Sequence, residues 1–243
     1  MKVLTSPASP FGRKVKITAK LKGLADLITF ETTAASDAGG ANPLLKIPVL
    51  ITDDGTSIYD SPVICEYLDA QVASPVLFPG EGARRWRTLT LGALGDGIID
   101  AAILLVYESR YRPAEMRVEA WCEMQQKKID QALAHLEAAP PEMGSPPDYG
   151  EITIAVALAY LDFRHEGKWR AGHPKMVAWL DAFDKAVPAF KETAPPPARG
   201  LASTAHLNGE PTMAAYAPTA AAQFNADAHE MRADFRNLPD ELN

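Results

Sequence analysis

Two serine–proline pairs near the start of the chain place a hydroxyl group where a helix is expected to begin. Ser9 precedes Pro10, and Ser61 precedes Pro62. Serine is a preferred N-cap residue, and proline is favoured at the first helical position. The first N–H groups of a helix have no partner within it and, together with the helix dipole, favour a bound anion. We therefore expect the hydroxyls of Ser9 and Ser61 to cap two helix starts that can stabilise anions.

Asp60 stands directly before Ser61 and adds a carboxylate that can pair with an ammonium group. The pair could therefore hold both charges of a small zwitterion. A capped helix with an acidic neighbour is the plain alternative, just as Ser9 could be an ordinary N-cap. If a hydroxyl here does stabilise a reacting anion, Thr5 and Ser6 are close enough to compete with Ser9 for that role. The residues alone leave these alternatives open.

The first 80 residues contain strand and helix patterns in the order βαβ and then ββα. Apolar and β-branched runs predict four strands, at Lys2–Thr5, Leu27–Thr32, Ile47–Thr52 and Ser57–Tyr59. The segment after Ser9 alternates like a strand, but its start signal and the stop at Gly23 favour a helix. A second helix follows Ser61, and we expect Thr33–Ala41 to be an exposed loop.

From Glu81 onward the pattern is helical. Helices are predicted at Arg84–Arg112, Pro113–Ala138, Ile152–Phe163 and Pro174–Val187. Asp148 and Glu151 form a capping box before the third of these, whose nearly continuous apolar sequence indicates a buried central helix. The chain thus divides into residues 1–80, 81–197 and an alanine-rich extension, 198–243. The extension allows one amphipathic helix, from the spacing of Phe224, Ala228, Met231 and Phe235.

Composition excludes several classes of function. The net charge is −7 and no run of Lys or Arg exceeds two residues, which argues against a nucleic-acid partner. Two cysteines and no Cys/His cluster argue against a metal site and a disulfide framework. The N-terminus has no hydrophobic segment of signal-peptide length, and the apolar run Ile98–Val106 is too short to span a bilayer. We expect a cytoplasmic protein without a membrane partner.

Four blocks of sequence resemble the cytosolic glutathione transferases, in particular bacterial members with a serine-type N-terminus. They are Ser9–Val15, Asn42–Leu50, Asp60–Leu68 and Gly150–Ala157. The resemblance covers residues 1–197. It implies a thioredoxin-like α/β domain that binds glutathione, followed by an all-α domain that binds the second substrate. It also implies a homodimer and glutathione as the co-substrate, without a metal.

The resemblance assigns the catalytic position to Ser9, whose hydroxyl would stabilise the glutathione thiolate. Lowering a thiol pKa of about 8.5 by two units requires roughly 2.7 kcal/mol. A hydrogen bond to a charged group supplies about 1.5–3 kcal/mol, so a hydroxyl at a helix start suffices without a general base. Serine, unlike cysteine, cannot form a mixed disulfide, which disfavours thiol–disulfide exchange.

The resemblance also implies the groups that hold glutathione. A cis proline, Pro48, would present the main chain of Val49 to the cysteinyl amide. Asp60 and Ser61 would bind the γ-glutamyl end, and Lys46 could pair with the glycyl carboxylate. Two positions depart from the family pattern: Leu45 stands where many relatives have glycine, and Glu151 where aspartate is usual.

The electrophile pocket would lie between the domains, against the long helix after Glu81. Ile103, Tyr107 and either Arg110 or Tyr111 share a helix face there, and Phe11 lies in the Ser9 block. Core packing or a dimer contact is the alternative for each of these side chains. The expected pocket residues are Phe11, Ile103, Tyr107 and Tyr111.

The reaction expected from the resemblance is conjugation of glutathione to small hydrophobic electrophiles. Two other functions remain open. One is a different glutathione-dependent reaction, either isomerisation or reductive cleavage. The other is a non-catalytic scaffold that has the transferase fold and binds a protein partner through residues 198–243.

Overall fold

The protein begins with a four-stranded mixed sheet flanked by two helices. The structure is a computed structural model, and it describes residues 1–196. The strands are β1 (Lys2–Thr5), β2 (Thr29–Thr32), β3 (Val49–Ile51) and β4 (Ser57–Ile58), in the spatial order β2-β1-β3-β4. β1 pairs with β2 in parallel and with β3 antiparallel, and β3 pairs antiparallel with β4. The two helices of this part are α1 (Pro10–Leu21) and α2 (Ser61–Ala70).

The predicted order of strands and helices is confirmed, with local corrections. The second strand starts at Thr29 because Ala25–Leu27 forms a 3₁₀ turn, and a second 3₁₀ turn, Ala35–Ala38, lies in the predicted loop. Asp60, not Ser61, is the N-cap residue of α2, so the prediction that Ser61 caps this helix is wrong by one residue. Proline occupies the second helical position there, which the helix start tolerates equally well.

The alternating pattern after Ser9 has a physical explanation. α1 contacts α2 and also helices of the second half of the chain, so it is buried on more than one face. Val15, Ile17 and Thr18 are all buried, which gives an apolar period unlike that of a one-sided amphipathic helix. The structure confirms the helix prediction. Its start and stop signals depend only on neighbouring residues, whereas the apolar period depends on which faces of the helix are packed.

Between Gly80 and residue 196, where the description ends, the chain forms five α-helices. They are α3 (Gly82–Tyr111), α4 (Glu119–Ala138), α5 (Tyr149–Arg164), α6 (Pro174–Ala186) and the short α7 (Pro188–Glu192). The predicted helix from Pro113 begins later, because Ala114–Met116 is a 3₁₀ turn. α5 is the buried central helix that the sequence predicts. The helix expected between Phe224 and Phe235 lies outside the described residues.

α3 and α5 pack closely because glycines remove side chains from their contact. A Cβ atom at Gly150 would lie 2.7 Å from the Thr88 carbonyl oxygen, and one at Gly95 would lie 3.0 Å from the backbone of Thr153. Any larger residue at Gly150 or Gly95 would therefore push the two helices apart. This close packing fixes the spacing of the two long elements that face the sheet domain.

The length of α3 corrects one expectation from the sequence. This helix is long enough and, with a mean hydropathy of 1.8 over its most apolar window, apolar enough to cross a bilayer by these criteria alone. The apolar run Ile98–Val106 is only part of α3, so its length underestimates the length of the helix. Ile98, Ile99 and Ala102 of α3 are nevertheless buried inside the protein, as in the core helix of a folded domain.

A buried ion pair joins the sheet domain to the helices. Lys14 of α1 is fully buried, and its ammonium group pairs with Asp96 of α3. The Lys14 Nζ atom also lies 3.0 Å from the hydroxyl oxygen of Tyr149, and that hydroxyl donates to Asp96 Oδ2 at 3.1 Å. Burial, followed by the charge of Asp96, raises the pKa of Tyr149, so this residue stays neutral.

The capping box at the start of α5 is confirmed. Asp148 Oδ1 accepts from the Glu151 N–H at 3.1 Å, and Glu151 Oε2 accepts from the Asp148 N–H at 2.8 Å. Glu151 Oε1 accepts from the Gly144 N–H at 3.0 Å, so the glutamate also ties down the preceding loop. The second Asp148 oxygen accepts from the buried Thr88 hydroxyl of α3 at 2.6 Å, which links the cap to the helix pair.

Replacing Asp148 tests this double role. Asp148→Ala should lower the free energy of unfolding by about 2–4 kcal/mol, because it removes an N-cap and leaves the buried Thr88 hydroxyl unpaired. Urea denaturation followed by circular dichroism measures the loss. Thr88→Val is the matched control, and the double variant should lose less than the sum of the two singles. Additive losses, or a loss below about 0.5 kcal/mol for Asp148→Ala, would contradict the linked role.

Candidate functional site

Ser9 is the N-cap residue of α1, as the sequence predicts. Its Oγ atom accepts a hydrogen bond from the Gly12 N–H at 3.1 Å, and its carbonyl accepts the first bond of the helix, from the Arg13 N–H at 3.0 Å. The Ser9 side chain is partly exposed. Because Oγ acts here as an acceptor, the hydroxyl hydrogen stays available to an anion outside the helix.

The two alternative hydroxyls differ in exposure. Thr5 is buried, and its Oγ1 atom has no hydrogen-bond partner among the described residues. A Cβ atom at Gly12 would lie 1.9 Å from this oxygen, so glycine is required where α1 passes over β1. Thr5 therefore faces the protein interior, which argues against it as a thiolate partner. Ser6 is partly exposed, and its carbonyl accepts from the Ser9 N–H at 3.1 Å.

Pro48 and Val49 lead into β3 in the way the resemblance implies. The Ile47–Pro48 peptide bond is cis. Val49 pairs with Leu4 of β1, whereas the ladder between β3 and β4 consists of Leu50–Ile58 and Ile51–Ser57. Val49 thus lies one residue beyond the end of that ladder. Val49 itself is fully buried, so pairing with an extended peptide would require the residues around it to open.

Asn42 shapes the loop that carries Lys46. Its buried side chain donates to the Lys46 carbonyl and accepts from the Leu44 N–H, both at 3.0 Å. Leu45 has a φ of 52°, the left-handed conformation that favours glycine. Leucine therefore replaces the family's usual glycine at a cost of about 1–2 kcal/mol. Lys46 itself is exposed, with its ammonium group in solvent.

Asp60 and Ser61 occupy the start of α2. The Asp60 carboxylate is exposed and does not cap the helix, whereas its carbonyl accepts from the Ile64 N–H at 2.9 Å. Ser61 is buried at the first helical position. The pair therefore presents a free carboxylate beside the unpaired N–H groups of a helix start, which is the charge arrangement expected from the sequence.

Asp100 of α3 is a residue of this region that sequence reasoning missed. Burial and the neighbouring Asp96 raise its pKa, and so, more weakly, does Asp60, whereas Lys46 and Lys14 oppose the shift. These effects place Asp100 within electrostatic reach of both Asp60 and Lys46. Asp100 lies one helical turn after Asp96, and this spacing can be read from the sequence. Only the packing of α3 shows which side of the helix the two residues lie on.

The predicted pocket residues are only partly brought together. Phe11 and Ile103 are half-buried and pack against the main hydrophobic core. Tyr107 and Tyr111 are exposed, with ring centroids 5.3 Å apart. Sequence reasoning missed the residues of α5 that border a small crevice of about 10 Å³ beside Ser9: Val156, Ala159 and Tyr160.

Two other kinds of chemistry, that of cysteine thiols and that of metal ligands, have little support in the structure. Cys65 is buried in α2, and burial raises the pKa of its thiol to about 12. Cys122 lies on α4 and is partly buried. Within residues 1–196, no group of three or more His, Cys, Asp or Glu side chains is arranged to hold a metal ion.

Two family models match the chain. The N-terminal domain model of glutathione S-transferases matches residues 8–71, and the C-terminal domain model matches residues 116–182. The GST-like protein YibF of Escherichia coli K12 is 34% identical over 205 residues, which are 82% of this chain and all of YibF. The chain therefore belongs to the glutathione transferase family.

Solved structures of relatives show what such proteins bind. A glutathione transferase family member from Pseudomonas fluorescens Pf-5, with bound glutathione, is 40% identical, with a TM-score of 0.77 over 80% of this chain and 98% of that one. A second structure from the same organism contains S-(propanoic acid)-glutathione, at 41% identity and a TM-score of 0.75, over 81% of this chain and 100% of that one. The fold is that of the glutathione transferases, and these relatives bind glutathione.

The Asn42 side chain offers a test of the loop before Pro48. Asn42→Ala should lower the free energy of unfolding by about 1–3 kcal/mol, because the Lys46 carbonyl and the Leu44 N–H lose a buried partner. Chemical denaturation measures this loss. Asn42→Asp keeps only the acceptor, so its stability should lie between those of the wild type and Asn42→Ala. The exposed Ser36→Ala, in the same region, should change stability by less than about 0.5 kcal/mol. Equal stabilities for Asn42→Ala and Ser36→Ala would refute the role.

Proposed function

We propose that this protein is a glutathione transferase that conjugates the thiolate of glutathione to small hydrophobic electrophiles. The observation that carries the proposal is the geometry of Ser9. Its Oγ accepts the Gly12 N–H at 3.1 Å, which leaves the O–H free to donate to a sulfur anion at the start of α1. Residues 1–80 would bind glutathione, and residues 81–197 would supply the second substrate's pocket.

The other site residues would hold glutathione in place. The main chain of Val49 pairs with the cysteinyl amide beside Pro48, and the start of α2 with Ser61 receives the γ-glutamyl carboxylate. Asp60 would pair with the ammonium group. Lys46 pairs with the glycyl carboxylate. The binding of glutathione by the relatives from Pseudomonas fluorescens supports this assignment.

The reaction requires little from the protein beyond positioning and one hydrogen bond. The Ser9 hydroxyl stabilises the thiolate, whose electron pair forms a carbon–sulfur bond with the electrophile. A leaving group departs with the bonding electrons, or, for an activated double bond, the adjacent carbon takes up a proton from water. Val156, Ala159 and Tyr160 border the crevice of about 10 Å³ beside Ser9, which would have to widen to admit an electrophile.

Glutathione-dependent isomerisation is a second candidate. A maleylacetoacetate isomerase from Pseudomonas aeruginosa is 31% identical over 102 residues, which are 39% of this chain and 48% of that protein. Isomerisation would use the same Ser9-stabilised thiolate, added to a double bond and then released. A product that retains glutathione separates conjugation from isomerisation.

A titration of Ser9 variants tests the catalytic role. In Ser9→Ala, the pKa of bound glutathione's thiol should rise by about 1–2 units, because a hydrogen bond to a charged group is lost. Thiolate ultraviolet absorbance against pH measures this value.

Ser9→Thr and Ser6→Ala are the controls for this titration. Ser9→Thr keeps a hydroxyl and a helix cap and should retain most of the shift. Ser6→Ala should leave the thiol pKa unchanged. An unchanged pKa in Ser9→Ala would remove Ser9 from the mechanism, and a shift in Ser6→Ala would move the role to Ser6. Absence of glutathione binding by the wild-type chain at millimolar concentration would refute the transferase function.

We also propose that the protein acts in the cytoplasm as a homodimer. α3 presents an exposed stripe at helical spacing, formed by Trp86, Thr90, Ala93 and Gly97. Trp86 is 66% exposed, which is unusual for the largest apolar side chain of a protein. The small residues after it would let a second copy approach the helix closely.

A charge at Trp86 tests this interface. Trp86→Glu should weaken dimerisation at least thirtyfold, because tryptophan anchors at interfaces are often worth 2 kcal/mol or more. Light scattering after size exclusion, over a range of protein concentrations, measures the mass. Trp121→Glu, an exposed tryptophan on α4, is the control and should stay dimeric. A wild-type monomer, or a Trp86→Glu dimer of unchanged affinity, would refute the proposal.

A further inference from the structure

We propose that the buried guanidinium of Arg13 is a second group that stabilises the glutathione thiolate, in addition to the hydroxyl of Ser9. Arg13 acts as a positioning residue, because its charge favours an anion at the start of α1 without contact with the sulfur. This inference deepens the proposed function and rests on it, since it assigns a further residue to the same reaction.

Arg13 lies one helical turn after Ser9 on α1. Its backbone N–H donates to the Ser9 carbonyl at 3.0 Å. Residues with this spacing leave a helix on the same face, with their Cβ atoms about 5–6 Å apart. Both residues also border the crevice of about 10 Å³ at the start of the helix. The Arg13 side chain and the Ser9 hydroxyl therefore lie on the same side of this helix start.

Arg13 is a buried cation without a carboxylate partner. It is only 8% exposed, and among the residues that the structure describes it forms no ion pair. Burial lowers the pKa of the Arg13 guanidinium to about 10, and the exposed Asp184 of α6 only partly opposes this effect. The guanidinium is therefore charged at neutral pH, and a buried charge that no carboxylate neutralises favours an anion nearby.

The contacts of the guanidinium with α7 leave part of it unused. Its Nη2 atom donates to the Phe190 carbonyl at 2.7 Å, and its central carbon lies 4.1 Å from the Phe190 ring centroid. Neither group carries a net charge, so neither neutralises the cation. The Nε atom is buried and has no hydrogen-bond partner within residues 1–196. Anchoring α1 to α7 thus accounts for only part of this side chain, and an apolar residue could fill the space without desolvating a charge.

The border of the crevice lets the charge act over a distance. Six of its nine residues are proline, alanine or valine, which keep water away from the start of α1. A charge is screened less in such surroundings than at an exposed surface. A thiolate is charged and a thiol is not, so the positive potential favours the thiolate and lowers the pKa of the thiol. Arg13 gives up no proton in this step, and the electron pair that attacks the electrophile stays on sulfur.

The pKa of the thiol of bound glutathione, measured by thiolate ultraviolet absorbance with the full chain, tests this role. Arg13→Gln should raise this pKa by about 1 unit, because a buried positive charge near the anion is removed. Arg13→Lys keeps a charge and should restore most of the wild-type value. At pH 5, where the thiol is protonated, Arg13→Gln should bind glutathione as tightly as the wild type.

Two control variants separate the charge from the packing. Phe190→Leu removes the aromatic contact of Arg13 but keeps the guanidinium, so it should lower the stability to urea and leave the thiol pKa unchanged. Lys16→Gln removes a charge from the same helix, at a residue that does not border the crevice. It should change the thiol pKa by less than about 0.3 unit, because Lys16 lies two turns from the helix start.

The salt dependence of the wild type adds a measurement that needs no variant. Its thiol pKa should change by less than about 0.3 unit between about 0.05 and 1 M salt, because a buried charge is screened little. A rise of about 1 unit at high salt would assign the shift to exposed charges and overturn the inference, even if Arg13→Gln does not fold. An unchanged thiol pKa in Arg13→Gln, an equal rise in Arg13→Lys or Phe190→Leu, or weaker binding by Arg13→Gln at pH 5 would overturn it as well.

The wild-type titration separates this inference from the proposed function. If the wild type binds glutathione with a lowered thiol pKa and Arg13→Gln leaves that value unchanged, the role of Arg13 fails and the transferase function stands. If the wild type does not bind glutathione at millimolar concentration, the transferase function fails and the role of Arg13 fails with it.

Discussion

The position of Ser9 depends on one buried ion pair. Lys14 has no exposed surface, and an uncompensated ammonium group at such a position would cost several kcal/mol. Asp96 and Tyr149 compensate it only while α1, α3 and α5 keep their present arrangement. Because Ser9 caps the helix that carries Lys14, the same contacts hold its hydroxyl against the helical domain. Because moving the two domains apart would leave a buried charge unpaired, the ion pair fixes their relative arrangement.

α5 runs from this ion pair to the crevice beside Ser9. Tyr149 lies in its first turn, whereas Tyr160 and Arg164 follow about three and four turns later. The close contact of Gly150 and Gly95 leaves α3 and α5 little freedom to slide past one another. α3 has acidic residues, Asp96 and Asp100, near the ion pair, and Arg110 lies near its last turn. The two helices therefore have negative charge near the ion pair and positive charge, from Arg110 and Arg164, near their C-terminal ends.

The sequence predicted those features that depend on neighbouring residues. The caps at Ser9 and Asp148 are examples, because capping is a contact within four residues. Ser61 was misplaced by one position because the first helical residue and the cap have similar preferences. Asp100 and Tyr160 were missed because their surroundings depend on which side of α3 or α5 faces the sheet domain. That orientation is set by glycine contacts and by Lys14, which are interactions between elements distant in sequence.

The same structure explains why this protein would use a substrate's sulfur rather than its own. Cys65 is buried with a thiol pKa near 12, so at neutral pH it is neither ionised nor accessible. Ser9 occupies the helix start where a thiolate would be stabilised, but serine itself is not ionised there. The helix start and the hydroxyl are therefore both available to a thiol brought in by a ligand. In the proposed function, catalysis would depend on binding that ligand in register with Val49 and Asp60, which would tie the chemical step to the recognition of glutathione.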